Sequence, residues 1–308
     1  MPNPLDNRPT TSLFEEAYWL DAVAPGRWSA VEVEHDGILI GRLPYALVKR
    51  YGQTAIAKPW YTPWLGPWVR PSGGKPTNEL SHQHQVLEGL IKGLPKAILR
   101  SIACAPEQTN LMAFHWAGYR LNLAYTHRLR TGDDVALWDG LRDTVRRQIR
   151  KAEKVTQIHD HRNVSDFITI LDKTFGRQNL DVSKSYPVLE KIDAVMKARG
   201  QRRIWTAEDA QGRIHAAVYI VFDDRHAIYI AGGSDPEYRQ SGAHSSVMWH
   251  AIKDAANHAP IFDFAGSMVK GIEYFVRGFG ATQTPRYTAE KFDGVGRIAS
   301  VLQNLRGR

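Results

Sequence analysis

Short apolar runs bounded by turn residues alternate along this chain with stretches whose apolar side chains recur every three or four positions. The pattern predicts strands and helices in succession. Residues 13–24 read as a short helix with Leu13, Phe14, Ala17, Tyr18 and Leu20 on its apolar side, closed by Pro25-Gly26. Residues 28–33 and 37–45 form a hairpin about His35-Asp36-Gly37, because Asp-Gly between apolar runs suits a tight turn. The segment KPWYTPWLGPW, residues 58–68, carries too many prolines for a central strand. A helix over 81–94, a strand over 97–105, a short helix over 110–119 and a strand over 121–129 follow. The longest helix is expected over 131–154, striped by Trp138, Leu141, Val145, Ile149 and Ala152. Helices over 164–175 and 187–199 come next, then strands over 201–206, 213–222 and 226–230. The last of these runs into Gly232-Gly233-Ser234, and a polar loop over 236–243 leads to a helix over 244–258.

Residues 259–291 hold the densest pattern. Ile261, Phe262 and Phe264 make a short buried strand with Asp263 as its one charge. A buried carboxylate needs a partner, so Asp263 either positions an amine or binds a basic side chain. Gly266-Ser267 ends the strand. Val269, Ile272, Phe275, Val276 and Phe279 then share one side of a helix that Gly278 and Gly280 stop. A last strand runs through Thr284, Tyr287 and Thr288. This order is expected to gather Asp263, Ser267, Lys270 and Tyr274 at the mouth of one cleft.

Composition narrows the class. The 308 residues are 43% hydrophobic and 23% charged, which describes a globular protein of one large domain or two ordinary ones. The formal charge of +8 suits an anionic ligand. Arg142, Arg146, Arg150 and Lys154 recur every four residues, either as a solvated helix face or as a row of phosphate contacts that Lys270 and Lys291 extend. Trp60, Tyr61, Trp64 and Trp68 either stack on a substrate ring or fill a core. Cys104 is the single cysteine, which rules out an intrachain disulfide and a Cys-rich metal site, and its apolar neighbours make it a small buried hydrophobe. His82/His84 and His159/His161 lack the companions of a metal site, so no metal is expected. The N-terminal MPNPLDNRPT lacks the layout of a signal peptide, and the longest apolar run, 216–222, is too short to span a bilayer. A cytoplasmic location without an integral membrane segment is the expectation.

The two halves share an order: hairpin, turn-rich strand, helix, strand, short helix. Each ends on an aromatic-x-x-x-Gly-aromatic pattern, Phe114 to Tyr119 and Tyr274 to Phe279. This arrangement, with RRQIRKAEK (146–154), IFDFAGS (261–267) and GIEYFVRGFG (271–280), resembles the FemAB-like, peptidoglycan peptidyltransferase-type branch of the GNAT acyltransferases, over roughly residues 13–295. The resemblance implies an α/β (α+β) fold of tandem GNAT-like domains, each a mixed sheet flanked by helices. Residues 1–130 would form a non-catalytic N-terminal copy. Residues 131–308 would form the catalytic one, the basic helix 131–154 included.

The resemblance also implies acyl transfer to an amine, with the activated carbonyl held where two central strands splay apart. Tyr274 matches the tyrosine that protonates the leaving group, whereas the N-terminal copy has Phe114 there. The strand end Gly232, Gly233 and Ser234 would hold the donor or serve the oxyanion, and Arg239 and Gly242 match the phosphate-binding loop. That loop carries His244 where a small residue belongs, a departure that favours aminoacyl-tRNA or another carrier over acyl-CoA. Asp263 is the second catalytic candidate. Ser267, Lys270, Arg146, Arg150, Lys291 and Trp64 are candidate contacts to an anionic, nucleotide-linked donor or acceptor. No tightly bound cofactor is expected. Two rivals stand: an acetyl-CoA-dependent N-acetyltransferase, and a non-catalytic RNA-binding or regulatory protein on the same scaffold.

Overall fold

The chain leaves its first unit within one strand and returns to it within its last. In the computed structural model, which describes residues 8–50, 52–177 and 180–293, one unit is Met1–Ala124 with Pro285–Arg308 and the other is Tyr125–Thr284. This division differs from a cut after residue 130: the final strand belongs with the first unit. The end of the expected second domain, beyond residue 293, lies outside the described residues.

The first unit opens with helix α1 (Ala17–Val23), then β1 (Trp28–His35), β2 (Ile38–Arg50), β3 (Gln53–Ile56), the two-residue β4 (Trp68–Val69), α2 (Pro76–Gly93), β5 (Leu99–Ala103) and α3 (Met112–Trp116). The β1–β2 hairpin turns at Asp36 (φ 51°) and Gly37 (φ 73°), the left-handed pair that a two-residue hairpin turn demands. β2 pairs β3 antiparallel and β3 pairs β5 parallel. The chain's last strand completes this sheet by running antiparallel to β5, from Thr288 opposite Ala103 to Phe292 opposite Leu99. α2 starts at Pro76, earlier than its apolar stripe alone suggests, with Pro at the helix start where the missing N–H costs nothing. Its Val86, Leu87 and Leu90 pack on Leu43, Ile56, Ile102 and Phe114. Cys104 is fully buried, and burial pushes its thiol up to about 12, as befits a packing residue.

β6 (Arg120–Arg130) carries the chain into the second unit, where α4 (Asp134–Gly140), α5 (Asp143–Ala152), β7 (Gln157–His159), α6 (Val164–Gly176), α7 (Tyr186–Ala198), β8 (Arg202–Glu208), β9 (Ile214–Phe222), β10 (His226–Ser234), α8 (Ala243–Asp254), β11 (Ile261–Asp263) and α9 (Lys270–Arg277) follow. β12 (Thr282–Phe292) leads back. The sheet order here is β6-β11-β10-β9-β8-β7, antiparallel throughout except for β10 with β11. β9 is buried along nearly its whole length because helices cover both faces. Val218, Ile220 and Phe222 point toward α5 and α8, while Tyr219 meets Phe167 of α6 and Asp193 of α7 on the other side.

The single helix expected over 131–154 is two. Leu141 (ψ 140°) and Arg142 (ψ 142°) are extended, and the Arg142 N–H donates to the Gly278 carbonyl at 2.9 Å instead of to α4. The apolar stripe runs unbroken through the joint because Leu141 stays buried, so a contact more than 130 residues away in sequence sets the break.

Candidate active site

Among the described residues of the second unit, one feature breaks the regular sheet. β10 and β11 run parallel from His226 opposite Ile261 to Ile228 opposite Asp263, and there β11 stops while β10 continues to Ser234. Beyond that point the strands part. The fork coincides with a bulge: Tyr229 opposes Ile220 and Ala231 opposes Tyr219, leaving Ile230 unmatched.

Ladder alternation decides which backbone groups look into the fork. The Asp235 N–H bonds to the His215 carbonyl at 2.9 Å, so residues 235, 233 and 231 bond toward β9. Gly232 and Ser234 turn their N–H and C=O to the opposite, open side. Thr174 of α6 occupies the second of these: the Ser234 N–H donates to its Oγ1 at 2.9 Å, and the Ser234 carbonyl lies 3.0 Å from the same hydroxyl. Gly233 packs directly beneath that threonine. Of the Gly232, Gly233 and Ser234 strand end expected to hold the donor, α6 covers Gly233 and Ser234, and only the Gly232 backbone faces the open side.

Asp263 ends β11 and is fully buried. Its carboxylate accepts from the Thr126 hydroxyl, from Arg128 Nε at 2.5 Å and from the Ala265 N–H at 2.8 Å. With both oxygens engaged, it is a positioning group, which corrects the catalytic expectation for it. It holds Ala265 (φ 56°) and Gly266 (φ 70°) in the left-handed conformation that swings the chain out of the strand toward α9.

α9 carries Tyr274, whose side chain is 56% exposed. Arg142 grips it twice, with its guanidinium 4.0 Å over the ring and Nη2 donating to the Tyr274 carbonyl at 2.9 Å. Ser267 Oγ accepts from the Val269 N–H at 3.1 Å and so shapes the turn into α9, with Lys270 exposed at its first position. On the same helix Glu273 stands 4.0 Å from the buried His127 imidazole, which desolvation pushes below its ordinary pKa.

The remaining expected contacts disperse. Arg146 caps α4, donating to the carbonyls of Trp138 (3.3 Å) and Asp139 (3.2 Å) and pairing with Asp143. Arg150 is exposed, 5.4 Å over the Trp138 ring, and Arg239 is exposed on a six-residue 3₁₀ helix, Pro236–Ser241. Lys291 lies in the first unit and donates to the Ala117 carbonyl at 2.8 Å, the end of α3. Trp64, also in the first unit, is 1% exposed and packs edge-on against Phe14, so the stacking expectation is corrected to core filling.

Residues 140–274 match the model of the acetyltransferase (GNAT) domain. The chain is similar to the crystal structure of FemX, at 14% identity and a TM-score of 0.67, covering 93% of this chain and 94% of that one. It is also similar to a tandem GNAT protein from the clavulanic acid biosynthesis pathway (11% identity, TM-score 0.54, 90% and 86% covered) and to L-PGS from Bacillus licheniformis (12%, 0.55, 99% and 100%). No curated protein matches in sequence. The fold is a tandem GNAT fold.

Within the GNAT unit, the start of α8 is closed over by α5. A Cβ on Gly242 (φ 82°) would stand 2.3 Å from the Gln148 carbonyl oxygen, so the backbones nearly touch. Lys151 Nζ donates to the Gln240 carbonyl at 2.6 Å, and Ser245 Oγ donates to Gln148 Oε1 at 2.6 Å. Gly242 is thus a packing glycine, pressed against the α5 backbone. His244, the second residue of α8, lies with its ring 4.8 Å from that of Phe275 of α9 in a tilted arrangement, and its Nε2 has no hydrogen-bond partner among the described residues.

Burial lowers the His244 pKa from 6.5 to about 4. The unfolded chain therefore takes up this proton at a higher pH than the folded one. Its contribution to stability is complete above about pH 6.5 and is lost as pH falls through about 4. Replacing His244 by glutamine is expected to remove on the order of 2 kcal/mol of acid sensitivity across that window. Urea titrations at pH 7 and pH 4.5 on both proteins check this, and equal pH slopes would refute it.

Proposed function

We propose that this chain is an acyltransferase that moves an acyl or aminoacyl group from an activated carrier to an amine, with the fork between β10 and β11 holding the carbonyl. The observation that carries the reading is the open Gly232 backbone at the point where two parallel strands part, together with an accessible phenol on α9, the helix into which the turn after β11 leads. A carbonyl lying there meets a backbone donor fixed in direction before it binds, the arrangement that stabilises a developing oxyanion at little reorganisation cost.

The amine attacks the carbonyl carbon and forms the C–N bond. The intermediate collapses by breaking the ester or thioester bond, and the leaving oxygen or sulfur takes the proton of Tyr274. The proton shed by the new amide nitrogen restores the phenol. Asp263 positions the turn into α9, and Arg142 fixes the ring that carries the acid.

Packing of α5 across the start of α8 supports a carrier other than coenzyme A, and the exposed Arg147 and Arg150 on α5, with Lys154 just after it, suit the phosphates of an aminoacyl-tRNA. The FemX likeness supports the same class of reaction. The test is discharge of radiolabelled aminoacyl-tRNAs in the presence of amine acceptors, set beside calorimetry with acetyl-CoA. Turnover with the former and no saturable heat with the latter are expected. Saturable acetyl-CoA binding with acetyl transfer would replace the donor. Salt-sensitive RNA binding without turnover on any donor would make the chain a non-catalytic scaffold.

A further inference from the structure

We propose that Tyr229 is a further catalytic residue: its hydroxyl donates a hydrogen bond to the carbonyl oxygen of the acyl group as that oxygen becomes an oxyanion, beside the Gly232 N–H. This rests on the acyl-transfer reading and adds a residue to it.

Tyr229 is the first residue of β10 beyond the last pair with β11, so it stands at the crotch of the fork. In a regular strand residues 229 and 232 would face opposite sides. The unmatched Ile230 resets the alternation: Tyr229 opposes Ile220 and Gly232 opposes Val218, two β9 residues on one face. The Tyr229 side chain then folds forward along its own strand. A Cβ on residue 232 would stand 2.5 Å from the Tyr229 hydroxyl oxygen and 3.0 Å from its ring. The hydroxyl can rest there because position 232 has no side chain, and it lies beside the residue whose N–H looks into the fork.

The Tyr229 side chain is half-buried, and its hydroxyl is not sealed from solvent, so an incoming oxygen can reach it. No described residue bonds that hydroxyl, and a donor left open at the fork is ready for a partner that arrives with the substrate. Desolvation raises the phenol pKa well above its ordinary value, so at neutral pH the group is a proton-bearing donor and not a base. Proton transfer stays with Tyr274; Tyr229 lends a hydrogen bond and keeps its proton while the carbonyl π pair moves onto oxygen and back.

The experiment is steady-state kinetics of the full chain and of Tyr229→Phe with whichever donor the wild type discharges, together with thermal unfolding of both. The expected result is a fall in kcat on the order of 10²-fold with KM within about twofold and an unchanged or higher melting temperature. A kcat equal to wild type overturns the assignment and leaves acyl transfer standing. A rise in KM that accounts for the whole loss overturns it too, since the hydroxyl would then bind ground state and transition state alike. As a second readout, 3,5-difluorotyrosine at position 229 lowers the phenol pKa. The alkaline limb of the kcat profile is expected to move to lower pH, and an unmoved limb counts against the role. Failure of the wild type to turn over any donor removes both readings, an outcome distinct from an active Tyr229→Phe protein.

Discussion

Replacing Asp263 by alanine is expected to cost roughly 3–5 kcal/mol of folding stability, the range for a buried ion pair that loses one member. The carboxylate is wholly buried and satisfies three donors, Arg128, Thr126 and the Ala265 N–H. Its removal takes from the largely buried Arg128 its ion pair with Asp263 and releases a non-glycine residue from left-handed backbone. In a unit of this size the midpoint of thermal unfolding should drop on the order of 10 °C. Asp263→Asn separates the two parts: it keeps an acceptor for Thr126 and Ala265 but gives up the charge facing Arg128, so a smaller loss is expected. Differential scanning calorimetry of the three proteins checks the order, and an Asp263→Ala protein as stable as wild type would show that this pair does not hold the turn.

Replacing Tyr274 by phenylalanine is expected to lower kcat by about 10²–10⁴-fold, the usual contribution of a placed general acid, with little change in stability. The ring is held by Arg142 at its face and through its backbone carbonyl, and both contacts survive the loss of the hydroxyl. The side chain is exposed, and its hydroxyl makes no hydrogen bond among the described residues. Carriers with better leaving groups need the acid less, so the deficit should shrink along a series of esters of falling leaving-group pKa. A uniform deficit along the series, or none at all, would take Tyr274 out of proton transfer.

The class of fold was legible because the elements are long and their periods clean: the β1–β2 hairpin announces itself in Asp36-Gly37, and β9 in an apolar run buried on both faces. The site was legible only in part. The helix that carries Tyr274 could be found from its apolar spacing and its glycine stop. The charge of Asp263 inside an apolar strand demanded a partner, yet the partners, Thr126 and Arg128, come more than 130 residues earlier and carry no mark in the sequence. Tyr229 was missed since a tyrosine within a strand reads as packing; the bulge that aims it arises from register with β9, which local pattern does not encode. The helix break at Leu141 escaped for a related reason, being imposed by the Gly278 carbonyl while the apolar stripe runs on undisturbed. Trp64 had the composition of a ligand platform and the burial of a core residue, a distinction that only packing draws.

The interrupted first unit dictates an order of events at the ribosome. Its β5 awaits a neighbour that is synthesised only after the whole of Tyr125–Thr284 has emerged. The inserted unit therefore has every one of its own residues available while the flanking one still presents a bare strand edge, an exposure that invites wrong pairing until β12 has been made.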